Sequence, residues 1–125
     1  MKQLLNVSCL KVNYGGVYAV KKISIQVYEG QIVSITGANG AGKSSTLNAL
    51  AGIHTPSSGE IVFRGENITG FPAHRIVKRG LVQVPEGRHL FSNLSVRENL
   101  LTGNHFIGRL MLEKFIPENL LETFP

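Results

Sequence analysis

Short stretches of alternating hydrophobic and polar residues mark the strands that this chain is expected to form. Leu4 to Val12 is apolar and rich in β-forming residues, and Ile23 to Val27 alternates strictly between apolar and polar positions. Because Glu29-Gly30 is a turn signal, we expect Ile23 to Val27 to form a hairpin with the next apolar segment, Gln31 to Thr36. Two further strands are predicted downstream, over Glu60 to Gly65 and Gly80 to Val84.

Helices are predicted where the apolar spacing changes to i, i+3, i+4. Residues 43–51 show this spacing, and Gly52 directly after them fits a C-terminal cap. Ser95 and Glu98 have the spacing of a capping box and therefore predict the start of another helix. Two more helical segments are expected, Pro72 to Lys78 and the region from Leu110 onward.

Composition limits the class of protein. The chain has 125 residues, of which 42% are apolar, enough for about one domain with a packed core. A single cysteine, Cys9, excludes an internal disulfide and a multi-cysteine metal site. No apolar run reaches the roughly 18 residues of a membrane helix, and the N-terminus lacks the apolar stretch of a secretory signal. We therefore expect a protein of the reducing cytoplasm.

The charge pattern argues against a nucleic-acid partner. The net charge is +5, from 13 lysines and arginines against 8 acidic residues. These basic residues are scattered without a long run of like charge, so we expect an ordinary solvated surface. The histidines lack the spacing of metal ligands and are interpreted as surface residues: His54, His74, His89 and His105.

The segment that carries chemistry is Gly37 to Ser44, which matches the phosphate-binding pattern G-x-x-x-x-G-K-S/T. Glycines let consecutive backbone N–H groups curl around phosphate oxygens, and the N-terminus of the helix that follows favours anions. Lys43 would bring a positive charge to the β- and γ-phosphates, and Ser44 would offer a hydroxyl to magnesium. A nucleoside triphosphate with Mg²⁺ is therefore the expected ligand.

Tyr14, in the stretch Asn13 to Gly16, has two interpretations. A tyrosine beside two glycines is often a plain loop residue. Alternatively, its ring stacks on a nucleotide base, a contact that contributes roughly 1–3 kcal/mol in nucleic-acid sites. Spacing alone leaves both interpretations open.

Taken together, the motifs resemble those of ABC transporter ATP-binding subunits over roughly residues 4–105. Within that family, the stretch from Val84 to Arg88 resembles the branched-chain amino acid uptake ATPases, of the LivF-like type. The matching motifs are Tyr14 to Gly16, Gly37 to Ser45, Gly59 to Phe63, Val84 to Arg88 and Leu94 to Leu100.

The resemblance implies roles for individual residues. Tyr14 matches the aromatic residue that stacks on adenine, and Glu86 falls at the Q-loop position, where most relatives have a glutamine that contacts magnesium. Gln83 would then be a structural residue of the preceding strand. The implied magnesium ligands are Ser44 and Glu86. The implied ATP-binding residues are Tyr14, Gly37, Asn39, Gly40, Ala41, Gly42, Lys43, Ser44 and Ser45.

Several family motifs do not occur in the 125 residues. There is no Leu-Ser-Gly-Gly signature, no apolar strand ending in Asp-Glu as in Walker B, and no switch histidine. We therefore interpret residues 1–125 as the N-terminal part of an ABC-type nucleotide-binding domain, truncated before its helical subdomain. No catalytic residue is assigned, and the 125-residue chain alone is expected to be inactive.

The expected fold is α/β, a P-loop core with an antiparallel β portion and part of a parallel sheet. The resemblance implies ATP binding and, in the complete subunit, ATP hydrolysis that powers import of branched-chain or related amino acids. The implied partners are transmembrane permease subunits and a second ATP-binding subunit, on the inner face of the cell membrane, and the fragment could also self-associate. The alternatives are a nucleotide-binding fragment without turnover and another P-loop NTPase.

Overall fold

The computed structural model describes residues 1–103, so the helix expected from Leu110 onward lies outside the described residues. The chain divides into two units, Met1–Gln83 and the segment from Val84 onward. The elements are β1 (Gln3–Tyr14), β2 (Val17–Tyr28), α1 (Lys43–Leu50), β3 (Ser58–Phe63), β4 (Glu66–Asn67), α2 (Ala73–Lys78) and α3 (Val96–Thr102).

The four strands form one sheet in the order β2-β1-β3-β4, and every neighbouring pair is antiparallel. β1 and β2 form a hairpin in which Tyr14 pairs with Val17. The two residues of its turn, Gly15 and Gly16, both have positive φ, at 54° and 88°. A tight hairpin turn with positive φ at both central positions strongly favours glycine, which explains the Gly-Gly pair.

The hairpin predicted between Ile23–Val27 and Gln31–Thr36 is wrong. The turn at Gly30 does form, with φ of 75°, but residues 31–36 are not a strand and Ile32 is 99% exposed. The strand predicted over Gly80 to Val84 is also irregular. An alternating pattern shows which residues share a face, whereas a strand also needs a hydrogen-bonding neighbour. Within residues 1–103 neither segment has one, so the part of a parallel sheet that we expected is not formed.

The core lies on one face of β1 and is shared with α1, β3 and α2. The buried residues of β1 are Leu5, Val7, Leu10 and Val12, so the alternation shifts phase once. The shift occurs at Cys9, which has a positive φ of 50° and lies where the β1–β2 register slips. Such a bulge turns Leu10 back to the buried face. The other core residues are Val20, Ala49, Leu50, Ile61, Phe63, Ile68 and Ile76.

The predicted helices are confirmed within residues 1–103. α1 ends with Gly52 in the left-handed conformation, and the N–H of Ile53 donates to the carbonyl of Asn48 at 2.9 Å, as in a Schellman cap. α3 starts with the predicted capping box: the Glu98 N–H donates to the Ser95 hydroxyl, and the Glu98 carboxylate accepts from the Ser95 N–H. None of the helices in this range is long and apolar enough to cross a membrane.

Candidate nucleotide-binding site

The phosphate-binding loop from Gly37 to Gly42 leads directly into α1, which begins at Lys43. Gly42 is the N-cap residue and has no side chain with which to cap the helix. The first N–H groups of a helix have no acceptor within the helix itself, and at such an N-terminus they can bind an anion. Together with the helix dipole they favour a bound anion.

Close packing on β2 requires glycine at position 42. Its φ is 95°, and an added Cβ would lie 2.3 Å from the carbonyl oxygen of Ala19. The buried Thr46 holds the next turn, because its hydroxyl and its N–H both bond to the Gly42 carbonyl, at 2.8 Å and 2.9 Å. The loop is therefore fixed to the hairpin at its exit.

The side chain of Lys43 folds back over the loop. Its ammonium group donates to the carbonyls of Gly37 and Ala38, the latter at 2.8 Å. Lys43 is half-buried, because these two carbonyls hold its side chain against the loop. The ammonium group is thus already positioned at the loop. A phosphate can bind it there without the lysine side chain first having to be ordered.

A cavity of about 420 Å³ lies between β2 and the loop. Three lysines line it, Lys21 and Lys22 from β2 and Lys43 from α1. Among the described residues that line it there is no carboxylate. The cavity therefore favours a negatively charged ligand.

Tyr14 lies at the end of β1, where its ring packs against the ring of His54. The ring centroids are 4.1 Å apart and the planes are inclined by 30°. His54 Nε2 also lies 3.2 Å from the carbonyl oxygen of Asn13. The interpretation of His54 as a plain surface residue is wrong, since it is half-buried beside Tyr14. No spacing rule could have paired residues so far apart in the sequence.

The remaining candidates are distributed between the loop, α1 and the second unit. Asn39, Gly40 and Ala41 are exposed in the loop, Ser44 is exposed on α1, and Ser45 is half-buried. The described residues contain no cluster of three or more His, Cys, Asp or Glu side chains that could hold a metal ion. Glu86 belongs to the second unit, so its role beside the loop remains a prediction.

Gln83 contacts α1, which agrees with a structural role although it is not in a strand. Its side-chain amide donates to the Asn48 side-chain oxygen at 3.2 Å. This contact ties the end of the first unit to the helix that follows the phosphate-binding loop.

A glycine-rich loop that leads into a helix whose first residues are lysine and serine defines the class of P-loop nucleotide-binding proteins. The profile of the ABC transporter family matches residues 20–123, and the chain belongs to this family. The resemblance drawn from the motifs is thereby confirmed, and a different class of P-loop NTPase is excluded.

The similar curated proteins include several with branched-chain amino acid transport in their names. The high-affinity branched-chain amino acid transport ATP-binding protein BraG of Pseudomonas aeruginosa is 38% identical over 98% of this chain and 52% of its own length. The high-affinity branched-chain amino acid transport ATP-binding protein LivG of Escherichia coli is 37% identical over 82% of this chain and 40% of its own length. This chain thus spans about half the length of the curated relatives it matches.

Solved structures give the same fold. The ADP conformation of MJ1267, an ATP-binding cassette of an ABC transporter, matches with a TM-score of 0.77 at 27% identity. The match covers 98% of this chain and 51% of the MJ1267 chain. A nucleotide-free ATP-binding cassette matches with a TM-score of 0.76 at 26% identity, over 96% of this chain and 50% of its own. The predicted α/β P-loop class is therefore confirmed.

Proposed function

We propose that this chain binds ATP at the loop from Gly37 to Ser45, as the N-terminal part of an ABC-type nucleotide-binding domain. In the complete subunit, ATP hydrolysis would power import of branched-chain or related amino acids, the solutes in the names of BraG and LivG. The observation that carries the proposal is the arrangement of the loop. The loop leads directly into the N-terminus of α1, where Gly42 has no capping side chain, and its carbonyls at Gly37 and Ala38 hold the Lys43 ammonium.

The donors at the loop fit the phosphates of ATP. The backbone N–H groups of the loop and of the first turn of α1 would bind phosphate oxygens, with Lys43 supplying the countercharge. The hydroxyl of Ser45 adds a further donor, and Tyr14 would stack on the adenine. The binding residues proposed are Tyr14, Gly37, Asn39, Gly40, Ala41, Gly42, Lys43, Ser44 and Ser45.

Magnesium fits the same site through oxygen ligands. Mg²⁺ takes few protein ligands and keeps waters and phosphate oxygens around it. Ser44, exposed at the start of α1, would supply a hydroxyl. Glu86 is proposed as a second ligand from its Q-loop position in the sequence alone. When bound, the ion would neutralise charge on the β- and γ-phosphates.

The proposed partners follow from this family membership. Transmembrane permease subunits and a second, identical or different ATP-binding subunit would assemble with the chain on the cytoplasmic face of the membrane.

The chain also exposes large apolar side chains, among them Ile32 at 99% and Val84 at 93%. Such apolar surface favours association, which supports self-association of the chain in isolation.

Lys43→Ala tests the proposal directly. The substitution removes the fixed positive charge, so ATP affinity should fall at least about tenfold, as hydrogen bonds to charged groups are worth roughly 1.5–3 kcal/mol. Isothermal titration of ATP with magnesium measures the change.

Lys11→Ala is the matched control, because it removes the same charge from β1, outside the loop. It should leave ATP affinity unchanged. Equal ATP affinity in Lys43→Ala and in the parent chain would overturn the P-loop assignment.

A further inference from the structure

The ring of His54 covers one side of the Tyr14 ring. The centroid distance of 4.1 Å and the inclination of 30° place the two rings in a tilted stack. Tyr14 nevertheless keeps 42% of its surface exposed. An aromatic ring has two faces, so contact with His54 on one of them leaves a face for a second planar partner.

His54 is itself held in place from two directions. Its Nε2 lies 3.2 Å from the Asn13 carbonyl oxygen, at the end of β1. Its backbone N–H donates to the carbonyl of Asn48 in α1, at 3.2 Å. His54 is therefore anchored through its ring to the strand that carries Tyr14, and through its backbone to the helix that begins at the phosphate-binding loop.

This arrangement links the two ends of the proposed ATP site through one helix. α1 begins at Lys43, beside the phosphate-binding loop, and His54 follows shortly after its C-terminal cap. A tyrosine at the end of a strand could otherwise turn about its side-chain bonds, and ordering it on binding would cost entropy. Holding the ring in advance reduces that cost.

We propose that His54 is a positioning residue for nucleotide binding: it supports one face of Tyr14 so that the other face receives the base of the nucleotide. His54 acts through Tyr14 and does not contact the phosphates. The inference rests on the proposed function, because it requires that a nucleotide binds with its base on Tyr14. It goes further by naming the residue that prepares the platform for the base.

The test compares ATP with inorganic tripolyphosphate, which has the phosphates but no base. Both ligands are titrated into the parent chain and into His54→Ala, His54→Phe and Tyr14→Ala, with thermal unfolding of each variant as a check on folding. His54→Ala should weaken ATP about two- to tenfold, the range that an aromatic pair contributes, and leave tripolyphosphate unchanged.

His54→Phe tests whether ATP binding needs an aromatic ring at position 54 or only the contribution of His54 to folding. It keeps an aromatic ring beside Tyr14 but loses the Nε2 contact that helps to hold that ring, so its ATP affinity should lie between those of His54→Ala and the parent chain. The proposal is overturned if His54→Ala binds ATP normally, if it loses both ligands equally, or if His54→Phe is as weak as His54→Ala.

Tyr14→Ala distinguishes this inference from the function on which it rests. It should weaken ATP and leave tripolyphosphate unchanged. If Tyr14→Ala has this effect and His54→Ala does not, the role of His54 alone is refuted. If Tyr14→Ala leaves ATP binding intact, the stacking role of Tyr14 is refuted, and the role of His54 with it. If the parent chain does not bind ATP, the proposed nucleotide site itself is refuted.

Discussion

Gly42 shows how a single residue fixes the phosphate-binding loop. Its φ of 95° is unfavourable for residues with a side chain, and the Ala19 carbonyl occupies the space a Cβ would need. The obstructing atom belongs to the backbone of β2, so it cannot move aside as a flexible side chain would. The glycine demanded by the motif is thus also demanded by the packing of the loop.

Gly42→Ala should destabilise the fold even without nucleotide. The left-handed conformation costs a residue with a Cβ roughly 1–2 kcal/mol, and the clash should add about 1–3 kcal/mol, as overpacking does. Gly30→Ala is the matched control, since its φ is 75° with no atom within 4 Å of an added Cβ. Denaturant unfolding measures both, and equal losses would show that the loop does not pack against Ala19.

The motif predicted which residues form the loop, but the sequence could not predict how the side chains of Lys43 and Tyr14 lie. A local pattern encodes the glycines and the lysine of a P-loop, because the loop is built from consecutive residues. The backward fold of Lys43 depends on carbonyls that only the closed loop brings together. The contact of Tyr14 with His54 joins distant segments, so it appears only after β1 and α1 pack.

At the level of elements, helices were predicted more accurately than strands. A helix satisfies its backbone from within, so caps such as Gly52 and the Ser95–Glu98 box locate its ends from local sequence. A strand depends on a partner that its own sequence does not specify. The segment 31–36 has the right alternation, yet no strand within residues 1–103 pairs with it.

One ion pair joins Glu66 of β4 to Arg79, the C-cap residue of α2, and makes the free energy of unfolding depend on pH. The Arg79 guanidinium donates to both carboxylate oxygens of Glu66, at 2.6 Å and 2.7 Å. These hydrogen bonds hold the pKa of Glu66 below its ordinary value of 4.5. The unfolded chain then binds more protons than the folded chain in this range, so stability rises with pH there.

Glu66→Gln should therefore lower the free energy of unfolding at neutral pH and make no difference in acid. The contribution of Glu66 is complete above the ordinary pKa of 4.5 and is lost as pH falls through the lowered pKa of the folded state. Denaturant unfolding from about pH 7 to about pH 3 measures this. Glu29→Gln is a control, since Glu29 lies 3.8 Å from Lys2 in an exposed pair. A deficit of Glu66→Gln that persists unchanged in acid would contradict the assignment.

For the whole molecule, the motifs predicted the family and the α/β class, both of which are confirmed. The arrangement of the sheet was harder to predict. Residues 1–83 fold around an antiparallel sheet, while two apolar segments expected to be strands stay irregular. Ile32 and Val82 are consequently exposed, at 99% and 68%. Sequence alternation identified these segments as strand-forming, but pairing is a property of the assembled sheet.

A polypeptide of these 125 residues should bind ATP without hydrolysing it. The loop, Lys43 and the first turn of α1 supply groups for binding phosphates, whereas the sequence has no Walker B carboxylate to activate water. A positioned general base typically contributes about 10²–10⁴-fold to a rate. The polypeptide should therefore bind ATP yet release phosphate no faster than its Lys43→Ala variant, which serves as the background. The measurement is phosphate release from protein whose mass is verified as 13.6 kDa. Release clearly above that background would mean that another group in these residues activates water.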